Sequence, residues 1–294
     1  MTRRTILPVL LYHSIEKHAR PEHQGWVTSP EVFAEHMAYL HDQGYRTLTV
    51  SQYAEMLAEP MVEAPERTVA ITFDDGFADF AEHALPVLTR HEIRATMYVV
   101  TGCVGSTSTW LESVGEGDRQ MLSWSEIEAL VEAGIEVGAH THSHPQLDII
   151  SRDAAWEEIR RSRGVLEDRL GHEVPSFAYP FGFHGPRIRA LVERAGFRSA
   201  CAVKDALSGP GDDPLAIARV IVPGDTSIGT LSDLLAGRGR PPAWRGERTS
   251  TKAFRVARRS AARARSLRAG YGRTPMGGRI PGESAQPRRP THGP

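Results

Sequence analysis

Val69-Ala-Ile-Thr-Phe-Asp74-Asp75-Gly76 decides how this chain is read. Apolar and β-favouring residues run up to Phe73 and stop at two adjacent carboxylates and a glycine, the pattern of a strand emptying into an acidic loop. Strand side chains alternate between faces, but a turn at the strand end, made easy by Gly76, can bring Asp74 and Asp75 to one site. Two like charges in one site need a cation or a shared proton. Taken alone, Asp-Asp-Gly is also a common surface turn.

Upstream of this stretch, Val9 to Tyr12 read as a buried strand ending at His13. A helix begins with Ser29 as N-cap and Pro30 at the first helical position, carries Phe33, Met37 and Leu40 on one face, and stops at Gly44. A strand from Tyr45 to Val50 and a short helix from Ser51 to Ala58 follow. Downstream, the pattern predicts a helix over Asp79 to His91 and a strand over Arg94 to Val100. Thr101 to Leu122 read as a loop with four glycines. A capping box from Ser125 to Glu128 opens a helix that ends at Gly134. A strand from Ile135 to Ala139 delivers His140-Thr-His-Ser-His144-Pro145, and an amphipathic helix spans 151 to 170. Ser176 to Tyr179 form a strand into Pro180-Phe181-Gly182, followed by a helix to Ala195-Gly196, strands near 198 to 203 and 217 to 222, and a last helix over 227 to 236.

Strand and helix thus alternate about seven times, which predicts parallel strands with helices outside, as a barrel or an open sheet. Both arrangements place function at the carboxyl ends of strands. Asp74-Asp75, His140 to His144, Tyr179 to Gly182 and His13 all occupy such ends.

The charge is divided unevenly. Residues 237–294 carry 15 Lys and Arg against Glu247 and Glu283, a surplus of 13, so residues 1–236 must hold a net −14 to give the overall −1. One catalytic domain over 1–236 and a basic tail over 237–294 fit this asymmetry. The tail, rich in Arg, Pro, Gly and Ala, is expected to be a disordered extension dispensable for chemistry, with a short basic helix within 252–269. Its alternative role is electrostatic contact with nucleic acid, anionic lipid or an acidic partner. Cys103 and Cys201 are the only cysteines and lie far apart, which excludes a disulfide framework and a thiolate metal site. The apolar run near the start is short and broken by Pro8, with no cleavage signal, so a soluble, cytoplasmic protein without a transmembrane segment is expected.

His140 and His144 share a face if the turn after the strand is helical, and so can chelate one ion. Asp75 completes a set of two histidines and one carboxylate that leaves open positions, a catalytic metal pattern. Asp74 is then free to act as general base toward water. His142 reads as a bystander. His13 is either an ordinary partly buried histidine or a general acid facing the metal.

These residues resemble the polysaccharide deacetylases of carbohydrate esterase family 4, the NodB-like enzymes. Thr72-Phe-Asp-Asp-Gly76 is similar to the family's first motif, in which the first aspartate is the base and the second a ligand. His140 to Pro145 is similar to the second, which supplies two histidine ligands. Tyr179-Pro180-Phe181-Gly182 resembles the third, which walls the substrate groove and offers a backbone amide, here that of Phe181, to the oxyanion. The resemblance covers residues 7 to 235 and implies a deformed (β/α)7-type barrel.

It also implies hydrolysis of an N-acetyl group on a hexosamine-containing saccharide, with one divalent ion: zinc first, with cobalt, nickel or manganese as alternatives. Trp110 and Trp124 are candidates for stacking on sugar rings. The chain departs from the family pattern at Ala178, where many members carry an arginine that tethers the catalytic aspartate; Arg219 is a candidate substitute. No Asp-x-x-Asp-Trp motif and no Leu-x-His near residue 220 is found, although a histidine there normally protonates the leaving amine. Leu10-Leu-Tyr-His13-Ser-Ile15 resembles an element of bacterial exopolysaccharide N-deacetylases that places this histidine at the start of the chain. His13 therefore becomes the candidate acid, with His184 behind it. Hydrolysis of a non-sugar amide by the same fold, and a catalytically silent carbohydrate-binding homologue, are the competing readings.

Overall fold

The structure, a computed structural model, describes residues 7–17, 20–58, 65–209, 212–241, 243 and 254–260. The strands are β1 (Val9–Tyr12), β2 (Ser14–Ile15), β3 (Val27–Thr28), β4 (Arg46–Leu48), β5 (Thr68–Phe73), β6 (Thr96–Val99), β7 (Glu136–Ala139), β8 (Ser176–Ala178), β9 (Ser199–Cys201) and β10 (Val220–Ile221). All main-sheet pairings are parallel, in the order β10-β1-β5-β6-β7-β8-β9, with β4 beside the first half of β5 and β6 beside its end. The sheet curls until its two edges nearly meet. Ile217 bridges Cys201 of β9, and three residues later Val220 pairs with Leu10 of β1. The result is the deformed (β/α)7-type barrel that the family resemblance implied, one of the two arrangements that the alternation allowed.

Strand periodicity sorts the side chains. On one face Leu10, Ile71 and Met97 join the large core shared with the helices, where Tyr12, Phe33, Phe73 and Phe80 pack edge-on or stacked at 4.7–5.7 Å. On the other face Val9, Ala70, Tyr98, Ala178, Cys201 and Ile217 form a separate cluster, closed below by Tyr53, whose hydroxyl donates to the Leu7 carbonyl. Ala70, Thr72 and Asp74 follow this inner face at a period of two. Small residues there leave space that the fully buried Arg219 side chain fills.

Several boundaries differ from the sequence reading. The capping box is built by Ser123 and Glu126, two residues before the expected pair, and opens the helix Trp124–Glu132. Ser-x-x-Glu occurs twice in this stretch, and burial of Ile127 and Leu130 selects the register. The helix expected over 79–91 begins as a π-turn, Phe80–Ala84, and becomes α-helical only at Leu85–Arg90. Pro86 has no amide hydrogen for a regular ladder, so the wider turn is accommodated just before it. The domain boundary expected at 236 is also passed: Leu207 donates to the Pro241 carbonyl, Ala243 donates to the Leu207 carbonyl, and Ala243 is buried. Among the described residues no helix is long and apolar enough to cross a membrane.

Candidate active site

Asp74 sits one residue beyond β5 and is 3% exposed. Burial alone would raise its pKa, but the charge and hydrogen bonds of Arg219 outweigh burial and hold the carboxyl well below the usual carboxylate range. Arg219 donates from both terminal nitrogens, at 2.6 Å to Oδ1 and 2.7 Å to Oδ2. The same guanidinium donates to Thr72 Oγ1 and, through Nε, to the Ala202 carbonyl. A planar fork held at four points fixes the carboxylate in orientation as well as charge.

Asp75, His140 and His144 come together, each buried, as the one group of potential metal ligands found among the described residues. Asp75 Oδ1 lies 3.5 Å from His140 Nε2 and 3.3 Å from His144 Nε2, and the two Nε2 atoms are 3.2 Å apart. Donors around a tetrahedral ion with bonds of 2.0–2.1 Å are separated by about 3.3 Å, so this triangle already has the required edge length. Protonation favours the same conclusion. The His140 Nδ1 faces the Ala178 carbonyl at 2.8 Å, which places the ring hydrogen there and leaves the Nε2 lone pair pointing at Asp75 and His144. Burial lowers the pKa of both histidines, keeping them neutral as ligands. Burial, with the neighbouring Asp74 charge second, pushes Asp75 up to about 8, so a cation would relieve a carboxylate otherwise costly to ionise. The residues fit a divalent ion.

The two histidines do not converge through a helical turn. Thr141 and His144 take left-handed backbone, φ 66° and 58°, and the His144 amide donates to Thr141 Oγ1. Asp75 (φ 77°) and Phe181 (φ 59°) share that conformation. Four of the seven non-glycine residues with positive φ among the described residues are therefore site residues, a concentration of strain that ordinary turns do not need. At Gly76 the positive φ of 85°, which glycine adopts without a Cβ penalty, lets the acidic loop turn back beside Val99.

His13 lies directly after β1, partly exposed, with its ring edge-on to Trp26 at 4.8 Å. Burial, only partly opposed by the Asp74 charge, pushes its pKa down to about 4. The loop that carries it is tied to the acidic loop by Asp79, which accepts from Ser14 Oγ at 2.7 Å, the Ile15 amide at 3.1 Å and Arg119 at 2.8 Å. Sequence reading missed Asp79 and Arg119; the third carboxylate in Asp74-Asp-Gly-Phe-Ala-Asp79 was the available signal.

Of the third stretch, Tyr179 and Pro180 are buried and only Phe181 presents its ring, 47% exposed and 4.8 Å from that of His144. Tyr179 cannot wall a groove with its side chain, because its hydroxyl donates to the Leu215 carbonyl inside the core. Trp110 packs 5.0 Å from His144, whereas Trp124 is half-buried against the core under Arg169. His142 is outside the ligand group, bonded to Thr101 Oγ1. His184 stacks on Tyr179 and bonds the Gly182 carbonyl, and is not one of the ligand group.

The basic tail contributes as well. A helical segment over 254–260 lies against two of the loops that build the site. Arg258 donates to Asp148 at 3.1 and 2.6 Å, Arg259 to the Asp148 carbonyl, and Arg255 to the His184 carbonyl. Arg255 and Arg258 thus have an acidic partner, the Asp148 carboxylate, within the chain. The rest of the region expected to form a basic helix, 252–253 and 261–269, lies outside the described residues.

Comparison with known proteins agrees with this geometry. Residues 61–200 match the family model described as polysaccharide deacetylase. The chain is 26% identical over 216 residues to YxkH of Bacillus subtilis (strain 168), assigned to the polysaccharide deacetylases, covering 74% of this chain and 71% of that protein. It is 22% identical over 213 residues to the poly-β-1,6-N-acetyl-D-glucosamine N-deacetylase of Staphylococcus aureus (strain MSSA476), covering 69% and 70%. The structure of IcaB from Ammonifex degensii superposes with a TM-score of 0.65 at 27% identity, over 79% of this chain and 96% of that one.

Proposed function

We propose that this chain, whose residues 61–200 belong to the polysaccharide deacetylase family, hydrolyses the N-acetyl groups of N-acetylhexosamine residues in a polysaccharide with the help of one divalent ion. The observation that carries the reading is the convergence of an ionised, clamped Asp74 with the Asp75, His140 and His144 triangle at one end of the barrel. Those three residues would hold the ion, zinc by its preference for a nitrogen and carboxylate set. When bound, such an ion supplies Lewis acidity that eases the ionisation of water and the build-up of charge on an amide carbonyl.

The chain's own residues do the rest. Asp74 is ionised before the reaction and aimed by Arg219, so it accepts a proton from water at a fixed place rather than by high basicity. The acyl carbon gains the water oxygen, the C–N bond breaks, and the sugar amine leaves with a proton. His13 is neutral at pH 7 because of its low pKa, so it delivers that proton only after taking one up during turnover. Phe181 takes a left-handed turn with its ring 4.8 Å from that of His144, a proximity that supports a role for its amide at the carbonyl oxygen.

The sugar follows from the Staphylococcus aureus relative, whose named substrate is a β-1,6-linked N-acetylglucosamine polymer. A binding-only role is disfavoured, since Arg219 replaces the tether lost at Ala178 and the base is intact. Acetate release from poly-β-1,6-N-acetylglucosamine and from acetylated chito-oligosaccharides, with Asp74→Asn as control, tests the reading. Release from a non-sugar N-acetyl amide but from neither saccharide would overturn the substrate class.

A further inference from the structure

Beyond the ligand triangle, a line of aromatic rings leaves the site and crosses onto the basic tail. The His144 ring is 4.8 Å from Phe181, Phe181 is 6.2 Å from Phe183 with planes only 24° apart, and Phe183 is 6.2 Å from Phe254. Phe181 and Phe254 are two of the few large hydrophobic side chains left exposed among the described residues, at 47% and 55%. Exposed phenylalanines in a row next to a catalytic site are not explained by packing, since neither contributes its open face to the core.

The far ring is held in place rather than left on a loose tail. The Arg258 guanidinium sits 3.6 Å from the centre of Phe183, and also bonds Asp148, a carboxylate only 2% exposed, and Gln146 at 3.0 Å. Asp148 is four residues beyond His144, and Arg255 bonds the carbonyl of His184, next to Phe183. The segment 254–260 is therefore fastened to both loops from which the aromatic line starts, and its position is coupled to theirs.

We propose that Phe254, joined to Phe181 through Phe183, forms a second saccharide subsite that holds a sugar ring of the polymer beyond the one being deacetylated. A pyranose offers an apolar C–H face that packs on aromatic rings, while its hydroxyls stay in water, which suits half-exposed phenylalanines better than buried ones. The ligand class is a chain of linked hexosamines, because only a polymer reaches from the ligand triangle to a ring on the tail. This inference rests on the deacetylase reading, and it makes the tail a determinant of chain-length preference.

The test compares full-length wild type, Phe254→Ala and Phe254→Tyr on an acetylated disaccharide and an acetylated hexasaccharide of the same linkage. Wild type should show the higher kcat/KM on the hexasaccharide. Phe254→Ala should lose about three- to tenfold there, the scale of one aromatic contact, through KM rather than kcat. The disaccharide rate should not change, and Phe254→Tyr should restore the preference. Equal rates of Phe254→Ala and wild type on the hexasaccharide, or equal losses on both substrates, would overturn the subsite while leaving the deacetylase reading standing. If wild type releases acetate from neither saccharide, the deacetylase reading fails and the subsite fails with it. Phe254 is more than half exposed, so its truncation leaves the core intact.

Discussion

Arg219 and Asp74, separated by 145 residues in sequence, form a two-pronged ion pair inside the barrel with both donor distances below 2.8 Å. The pair explains how the chain manages without an arginine at position 178. A guanidinium entering from beside β10 reaches the same carboxylate that the missing one would have approached from β8.

Removing this clamp should therefore damage both stability and rate. Arg219→Ala leaves a buried carboxylate uncompensated, at a cost of about 3–5 kcal/mol in urea unfolding. Arg219→Lys keeps the charge but loses the fork, and its kcat should fall at least about tenfold with metal content unchanged. A kcat near wild type in the lysine variant would show that charge alone positions Asp74.

Asp74→Asn preserves shape and removes the proton acceptor. It should retain the metal and lose at least about a hundredfold in kcat. Activity within a few fold of wild type would move the base elsewhere.

Metal analysis of the purified protein should give one divalent ion per chain, lost in His140→Ala. Chelation should lower the melting temperature of wild type, and adding zinc back should restore it, because binding to the folded state alone stabilises it. Equal metal content in wild type and variant would remove the triangle from consideration.

His13→Ala should bind metal normally. Its rate defect should be much smaller on an activated acetate ester, whose leaving group needs no proton, than on an N-acetyl sugar. Equal defects on the two substrates would exclude proton delivery by His13.

Acid should weaken the fold through His36. This fully buried ring bonds the Thr226 carbonyl through Nε2 at 2.8 Å and faces the Tyr12 hydroxyl through Nδ1 at 3.0 Å. A neutral ring with its hydrogen on Nε2 satisfies both partners, and protonating Nδ1 turns it from acceptor to donor and forces the Tyr12 hydroxyl to turn round. Burial holds the folded pKa below the ordinary 6.5. The contribution of His36 to stability is thus complete above pH 6.5 and is lost as pH falls from there through the folded value. His36→Gln, which cannot titrate, should show a shallower fall of urea midpoint between pH 7 and 5. Parallel curves would assign acid sensitivity to other groups.

The sequence by itself determined the alternation of strand and helix, hence parallel strands with helices outside, because period-two and period-3.6 patterns and their caps are local properties. It also marked Asp74, Asp75, His140, His144 and His13, since function in this architecture gathers at strand ends, which punctuation by Gly and Pro makes visible. The particular capping register at Ser123 was decided by which residues could be buried, a choice that neighbours in sequence do not make, whereas the π-turn follows locally from Pro86.

Tertiary structure alone settled the rest. Nothing near Arg219 in the sequence says that its side chain fills the barrel interior; that follows from small residues at Ala70, Ala178 and Cys201, contributed by three separate strands. The approach of His140 to His144 depends on left-handed backbone at Thr141 and His144, a strain that the surrounding fold must hold and that their spacing cannot report. The docking of 254–260 was hidden for the same reason. A run of arginines reads as a solvated tail until a buried acid, Asp148, is brought within reach by the folding of a loop more than a hundred residues away.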